Sequence, residues 1–188
     1  MKFVLKSAAA LLIILVLGLI AIYARYGAGQ PYPDTSTAPL RPADDLQRVA
    51  ALDFPPGNVA VAPSGRVFFN YHPFAKAERF VRATMFELVN GQPVPYPNAE
   101  FQKRYQGVFG MTVDAQNRLW LIEPRGLDHE RTRLLAFDLT SNTQVFEHWF
   151  EPGQAQFTQD LRVSPDGQTV YLADTGLFQF TSASLMVF

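Results

Sequence analysis

The sequence contains no cysteine and only three histidines among its 188 residues. Without cysteine the chain forms no disulfide and offers no thiolate ligand to a metal. Its charges also nearly cancel, because 16 lysines and arginines face 17 aspartates and glutamates, for a formal net charge of −1. A nucleic-acid partner requires a basic surface, so this balance gives no electrostatic case for one.

Several catalytic patterns are missing as well. The sequence has no Ser-His-Asp order, no glycine-rich phosphate loop and no histidine-rich metal spacing. We therefore predict no cofactor and assign no catalytic residue, and whether the chain is an enzyme stays open. Its composition, 48% hydrophobic and 18% charged, is that of an ordinary globular protein.

The N-terminus carries a basic and then an apolar segment. Lys2 and Lys6 precede a run of about 17 uncharged, mostly apolar residues at 7–23, near the lower limit for crossing a bilayer. This pattern predicts a signal peptide or membrane anchor over residues 1–25. The two lysines favour a cytoplasmic N-terminus, so the rest of the chain is expected to be secreted or periplasmic, or anchored to the inner membrane by residues 7–23.

A proline-rich segment follows. Residues 26–45 carry Pro31, Pro33, Pro39 and Pro42 among glycine, serine and threonine, a composition that cannot bury enough apolar surface to order itself. We interpret this segment as a linker, so the folded part is expected at residues 46–188.

The folded part repeats itself. The similar phrases VAPSGRVFFNY, VDAQNRLWLIE and VSPDGQTVYLAD begin at Val61, Val113 and Val163, at intervals of about 50 residues. A second set of residues keeps the same spacing: Phe86, Phe137 and Phe188. Two markers with one period indicate a repeat architecture.

Each unit reads as four short strands joined by turns. Gly65, Asn117 and Gly167 occupy equivalent turn positions, and both residue types tolerate positive φ. Aromatic residues also recur at one position, as packing between neighbouring units would require: Phe68, Trp120 and Tyr171. We therefore predict an all-β fold of propeller blades at about residues 58–97, 109–150 and 159–188. An ordinary β-sandwich is the alternative.

The order of these phrases also resembles a known family. DFPPGNVAVAPSGRVFFNYH, FGMTVDAQNRLWLIE, RLLAFDL and FTQDLRVSPDGQTVYLADTG follow one another in the chain. This order is similar to that of the bacterial branch of the major royal jelly protein and yellow family. The resemblance implies an exported, six-bladed propeller that binds a small ligand on its face. It also raises an alternative, the isomerisation of oxidised catechols such as dopachrome.

Weaker similarity links the chain to gluconolactonase-type propellers, which implies lactone hydrolysis as another alternative. Members of that group hold a divalent cation with Glu, Asn and Asp side chains on the innermost strands. The corresponding positions here fall near Gly57, Phe109 and Gln159. A hard cation requires converging oxygen ligands. Glycine and phenylalanine supply none, so we predict no metal site.

The loops at one end of the blades hold the candidate ligand-binding residues. These are His72, Phe109, Glu123, Gln159 and Asp174. Two carboxylates and a histidine on one rim could bind a cationic amine or move a proton. The alternative is that these side chains cap strands and satisfy loop backbone. The same loops also hold Arg125. Residues 128–131, which include Asp128 and His129, are interpreted as a solvated loop tip, and Asp160 is expected to point to the other face of its strand.

The third unit is expected to be incomplete, because it holds no candidate fourth strand. The sequence therefore predicts about three blades of a six-bladed type and a chain shortened relative to a longer parent. Residues 46–52 read as an outer strand that would complete a final blade. Assembly of several copies into a ring is the alternative. The expected partners are a small-molecule ligand and, through the N-terminal segment, a membrane.

Overall fold

A computed structural model of the chain describes residues 2–27, 33–38, 40–71, 84–124, 131–176 and 181–188. The chain divides into two compact units, Met1–Gln47 and Arg48–Phe188. The sequence-based start of the folded part, at residue 46, lies next to this division.

The first unit contains one long helix. α1 extends over Lys2–Tyr26, and its segment Lys6–Tyr26 has a mean hydropathy of 2.7 with none of it buried. A helix of this length rises about 30 Å, which is the thickness of a hydrocarbon core. α1 is therefore long and apolar enough to cross a membrane, a property that signal sequences and anchors share. A short 3₁₀ helix, Ala43–Asp45, also belongs to this unit.

The second unit consists of antiparallel sheets, with eleven strands in the described residues. The first sheet has the order β1–β2–β3–β4, with bounds Pro56–Val61, Val67–Tyr71, Met85–Val89 and Gln92–Pro95. The second has the order β5–β6–β7–β8, with bounds Gly110–Val113, Arg118–Glu123, Arg133–Asp138 and Thr143–Trp149. The third has the order β9–β10–β11, with bounds Thr158–Val163, Val170–Asp174 and Ser184–Val187.

Each sheet begins with a hairpin that the repeat predicts. The residue pairs that flank the three turns are Val61 with Val67, Val113 with Leu119, and Val163 with Val170. Gly65, Asn117 and Gly167 have φ values of 84°, 60° and 70°. The predicted shared turn chemistry is confirmed, because all three positions use the left-handed conformation that glycine and asparagine tolerate.

The middle sheet is apolar on both faces because neighbouring sheets cover both. Leu119 and Leu121 belong to the apolar cluster shared with the first sheet, whereas Trp120 and Ile122 belong to the cluster shared with the third. Alternate residues of a strand point to opposite faces. The continuous apolar run of β6 therefore follows from its place between two sheets.

Innermost strands lie side by side from one sheet to the next, since β1 contacts β5 and β5 contacts β9. Sheets that pack face to face in succession, with one strand of each nearest the shared axis, are propeller blades. The predicted all-β propeller fold is therefore confirmed, and the sandwich alternative, which has only two layers, is wrong. Within the described residues the third blade has three strands and the others have four.

A glycine allows the second and third blades to approach closely. A Cβ atom on Gly110 would lie 2.8 Å from the carbonyl oxygen of Gln159 and 2.9 Å from the Cα atom of Asp160. Both atoms belong to the backbone of β9, so they cannot rotate away. Gly110 therefore sets the separation of these two inner strands.

We predict that Gly110→Ala destabilises the protein by about 1–3 kcal/mol, the usual range for overpacking a well-packed interior. The measurement is the free energy of unfolding of the full chain in detergent, by chemical denaturation. Ala115→Ser, at an exposed turn position, is the control and should change stability by less than about 0.5 kcal/mol. Equal stability of the two variants would contradict the close approach.

Candidate functional site

Those candidate residues that the structure describes lie at one end of the blades. We call this end the rim and define it by the ends of β2, β6 and β10 together with the starts of β1, β5 and β9. The register pairs Pro56 with Tyr71, Gly110 with Ile122, and Thr158 with Asp174. Glu123 and Asp174 therefore occupy equivalent places on adjacent blades, although their surroundings differ.

Glu123 is a structural residue inside the protein. Its side chain has no exposed surface, which differs from the accessible carboxylate that the sequence suggested. One carboxylate oxygen accepts hydrogen bonds from the backbone N–H groups of Gln106, at 2.7 Å, and Gly107, at 3.2 Å. The other accepts from the guanidinium of Arg133, with Nε at 2.7 Å. Burial, helped by the Glu123 charge, raises the pKa of the Tyr105 hydroxyl well above its usual value.

Arg133 completes this buried pair and was not foreseen. Its guanidinium also hydrogen-bonds the backbone carbonyl of Arg104, lies 3.2 Å from the Glu147 carboxylate, and stacks 4.9 Å from the ring centre of Trp149. Strand register places Arg133 directly opposite Glu123 on β7. The pair therefore holds the segment that connects the first two blades, around residues 104–107, against the second sheet through hydrogen bonds.

We predict that Glu123→Gln destabilises the protein by about 3–5 kcal/mol, since it removes the fully buried partner of the Arg133 charge and leaves only the partly exposed Glu147 carboxylate beside it. Glu151→Gln is the matched control, because Glu151 pairs with Arg131 at 3.1 Å but its side chain is 75% exposed. An exposed pair contributes about 0–1 kcal/mol. Both are measured by chemical denaturation, and similar losses in the two variants would contradict the structural role.

Amide side chains join the first two blades close to Phe109. The Asn58 side-chain amide donates to the carbonyl of Phe109, and the Asn70 amide donates to the carbonyl of Val108. Asn70 is fully buried, and its oxygen accepts from the backbone N–H of Asn58 at 2.5 Å. Phe109 itself is half-buried, and its N–H donates to Ile122 at 2.9 Å. These hydrogen bonds hold the first two blades together at this part of the rim.

Gln159 lies at the start of β9, half-buried, with its carbonyl against Gly110. Gly57 is exposed at the start of β1, and a Cβ there would meet the Asn70 side chain. Among the described residues no group of three His, Asp or Glu side chains is arranged to hold a metal ion. The candidate His72 lies outside the described residues, as do the loop residues Arg125, Asp128 and His129.

Asp174 lines a cavity, unlike Glu123. The cavity has a volume of about 240 Å³ and lies between the loop that enters the third blade and the loop between β10 and β11. Its other lining residues are mostly polar: Gly153, Gln154, Ala155, Gln156, Thr181, Ser182, Ser184 and Met186. The Asp174 carboxylate accepts from the N–H of Gly176 at 2.9 Å and from that of Phe157 at 3.4 Å. These two bonds leave acceptor capacity on both oxygens, since an ionised carboxylate has about four lone-pair sites.

The sequence signalled Asp174 through its place at the end of a repeated strand, but it gave no sign of the cavity. The lining comes from two segments that are more than a strand apart in the chain. Hydroxyl and amide residues in such loops read as solvated turns, so only the folded arrangement brings them around the carboxylate. Asp160 instead binds Arg162, at 3.1 Å, away from this cavity.

Comparison with known proteins adds a distant structural likeness. No family model matches the chain, and no curated protein matches it. Among solved structures, the structure of the Dos1 propeller aligns with a TM-score of 0.41 and 10% sequence identity. The alignment covers 64% of this chain and 28% of that one, so the chain matches less than a third of the Dos1 propeller's length. The propeller assignment itself comes from the blades described above.

Proposed function

We propose that this chain is an exported β-propeller protein that binds a small, positively charged polar molecule in the Asp174 cavity. The observation that carries the proposal is the cavity itself, in which one carboxylate faces a lining of hydroxyl and amide groups. Glu123 and Asp174 end equivalent strands, but only the Asp174 carboxylate both lines a cavity and can accept further hydrogen bonds.

The size of the cavity favours a small ligand. Its volume of about 240 Å³ lies below the roughly 300–1,000 Å³ that holds drug-sized molecules. A carboxylate at the wall favours an ammonium group, because charge-assisted hydrogen bonds are about twice as strong as neutral ones. Serine, threonine and glutamine side chains supply hydrogen bonds for a hydroxyl-bearing ligand, and Met186 supplies an apolar contact.

The N-terminal segment supports the cellular location in this proposal. α1 is apolar over Lys6–Tyr26, and Lys2 and Lys6 precede most of its apolar residues. Positive charge before an apolar helix favours a cytoplasmic N-terminus. The propeller would then face the extracytoplasmic space, as the resemblance to the yellow family also implies.

Asp174→Asn tests the site in the full chain held in detergent. Calorimetry would compare tyramine with 4-ethylphenol, a phenol of similar shape that has no amine. We expect the wild-type chain to prefer tyramine. We expect Asp174→Asn to weaken tyramine binding about 10- to 100-fold, the loss of one hydrogen bond to a charged group. Binding of 4-ethylphenol should stay unchanged in the variant.

Asp166→Asn is the matched control, since Asp166 lies in the exposed turn at the other end of the same blade. It should leave tyramine binding as it is. Equal tyramine affinity in the wild type and Asp174→Asn would contradict the proposed site. Equal affinity of the wild type for both phenols would contradict the preference for a positive charge.

A further inference from the structure

The loop that enters the third blade has an unusual backbone. We call residues 153–157 the entry loop, and within it Gly153 and Ala155 have φ values of 93° and 48°. Glycine adopts a positive φ readily, whereas the Cβ atom of alanine makes it unfavourable. Such a conformation persists only where surrounding contacts hold it, as they do in many binding sites. Ala155 lines the Asp174 cavity, so the contacts that hold it also shape a wall of that cavity.

Two buried hydroxyl groups hold Ala155. The Thr132 hydroxyl donates to the carbonyl oxygen of Ala155 at 2.6 Å, and the Thr158 hydroxyl donates to the same oxygen at 3.0 Å. Both threonines have almost no exposed surface. A carbonyl oxygen has two lone pairs, so the two hydroxyls together satisfy it. Ala155 also belongs to the apolar cluster between the second and third blades, which fixes it from the other side.

The two threonines belong to different blades. Thr132 directly precedes β7 of the second blade, and its carbonyl accepts a hydrogen bond from the N–H of Phe150, directly after β8, at 3.0 Å. Thr158 is the first residue of β9 in the third blade. The entry loop is therefore attached to both sheets through one atom, the carbonyl oxygen of Ala155.

An irregular strand register places the entry loop beside the carboxylate. Asp174 stands opposite Thr158, whereas the residue before Asp174 stands opposite Asp160, so Gln159 is an extra residue in β9. A bulge of this kind bends a strand and redirects side chains, and bulges are frequent next to active sites. The carbonyl of Phe157, the last residue of the entry loop, accepts from the N–H of the residue after Asp174 at 3.2 Å. The loop and the carboxylate therefore form adjoining walls of one cavity.

We propose that Thr132, on the second blade, is a positioning residue for the ligand of the Asp174 cavity, an inference that rests on the function proposed above. Its hydroxyl holds the Ala155 carbonyl, and the entry loop then presents Gln154 and Gln156 to the cavity. A wall that is already held in place favours binding, because less conformational freedom is lost when the ligand enters. Asp174 selects the charge of the ligand, whereas Thr132 sets the affinity for the part that contacts the loop.

Thr132→Val tests this role, since valine keeps the shape of threonine and lacks the hydroxyl. Calorimetry on the full chain in detergent would measure tyramine and 4-ethylphenol binding. We expect both to weaken by a similar factor, about fivefold, the loss of one neutral hydrogen bond. Asp174→Asn, in contrast, is expected to weaken tyramine alone. Thr132→Ser keeps the hydroxyl and should recover most of the affinity for both ligands.

Leu121→Val is the matched control, because Leu121 is fully buried in the apolar cluster between the first two blades. It should lower stability without changing the affinity for either ligand. Wild-type affinity in Thr132→Val would overturn the inference, and so would an equal loss of affinity in Leu121→Val or in Thr132→Ser. Thr158→Val removes the other hydrogen bond to Ala155 and takes the place of Thr132→Val if that variant does not fold, with the same expected result.

Amide exchange of the ligand-free chain separates this inference from the proposed function. The amides of Gln154 and Phe157 both donate hydrogen bonds within the described residues. We expect Thr132→Val to speed their exchange about fivefold or more, and Thr132→Ser to leave it close to that of the wild type. Unchanged exchange in Thr132→Val would overturn the positioning role, whatever the ligand. Faster exchange, with a similar loss of affinity for both ligands, would support it even if the wild type shows no preference for tyramine.

Discussion

Apolar contact between neighbouring sheets is the interaction on which the rest of this molecule depends. Each blade is a thin sheet, and a thin sheet buries its apolar faces only where another blade covers them. Leu119 and Phe137 share an apolar cluster with Phe68 on one side of the middle blade, while Trp120 shares one with Leu161 on the other. A fully buried side chain of this kind contributes about 1.5–3 kcal/mol. The positions of the rim loops follow from this packing.

The two rim carboxylates show how the same repeat position acquires different uses. Glu123 on β6 stands directly opposite Arg133 on β7, and the two side chains form a buried ion pair. The chain that connects the first and second blades covers this pair. Asp174 pairs instead with Ser184 on β11, and the residues that line the cavity with it are mostly polar. A carboxylate with a buried cation stabilises the fold, whereas one beside a polar cavity is available to a ligand.

Much of the fold could be predicted from the sequence because its signals are local and repeated. The turn residues Gly65 and Asn117 predict hairpins. The recurrence of an aromatic residue at Phe68 and Trp120 predicts which strand faces pack between blades. The Glu123–Arg133 pair depends on which residues of β6 and β7 stand opposite each other, which no local pattern gives. Asn70 did carry a signal, since it interrupts an apolar strand, and a buried amide requires hydrogen-bond partners.

The cavity at Asp174 could not be predicted, since its walls come from separate loops whose residues are individually typical of turns. His72 lies outside the described residues, so its assignment as a ligand-binding residue stays a prediction.

Hydrogen exchange of backbone amides, measured by mass spectrometry, tests the central claim most directly. The claim is that each blade is stabilised by the blades that cover its faces. Amides of β6 and β7, covered on both sides, are then expected to exchange most slowly, and those of β10 and β11, covered on one side, faster. Equal or greater protection of β10 and β11 would contradict the account.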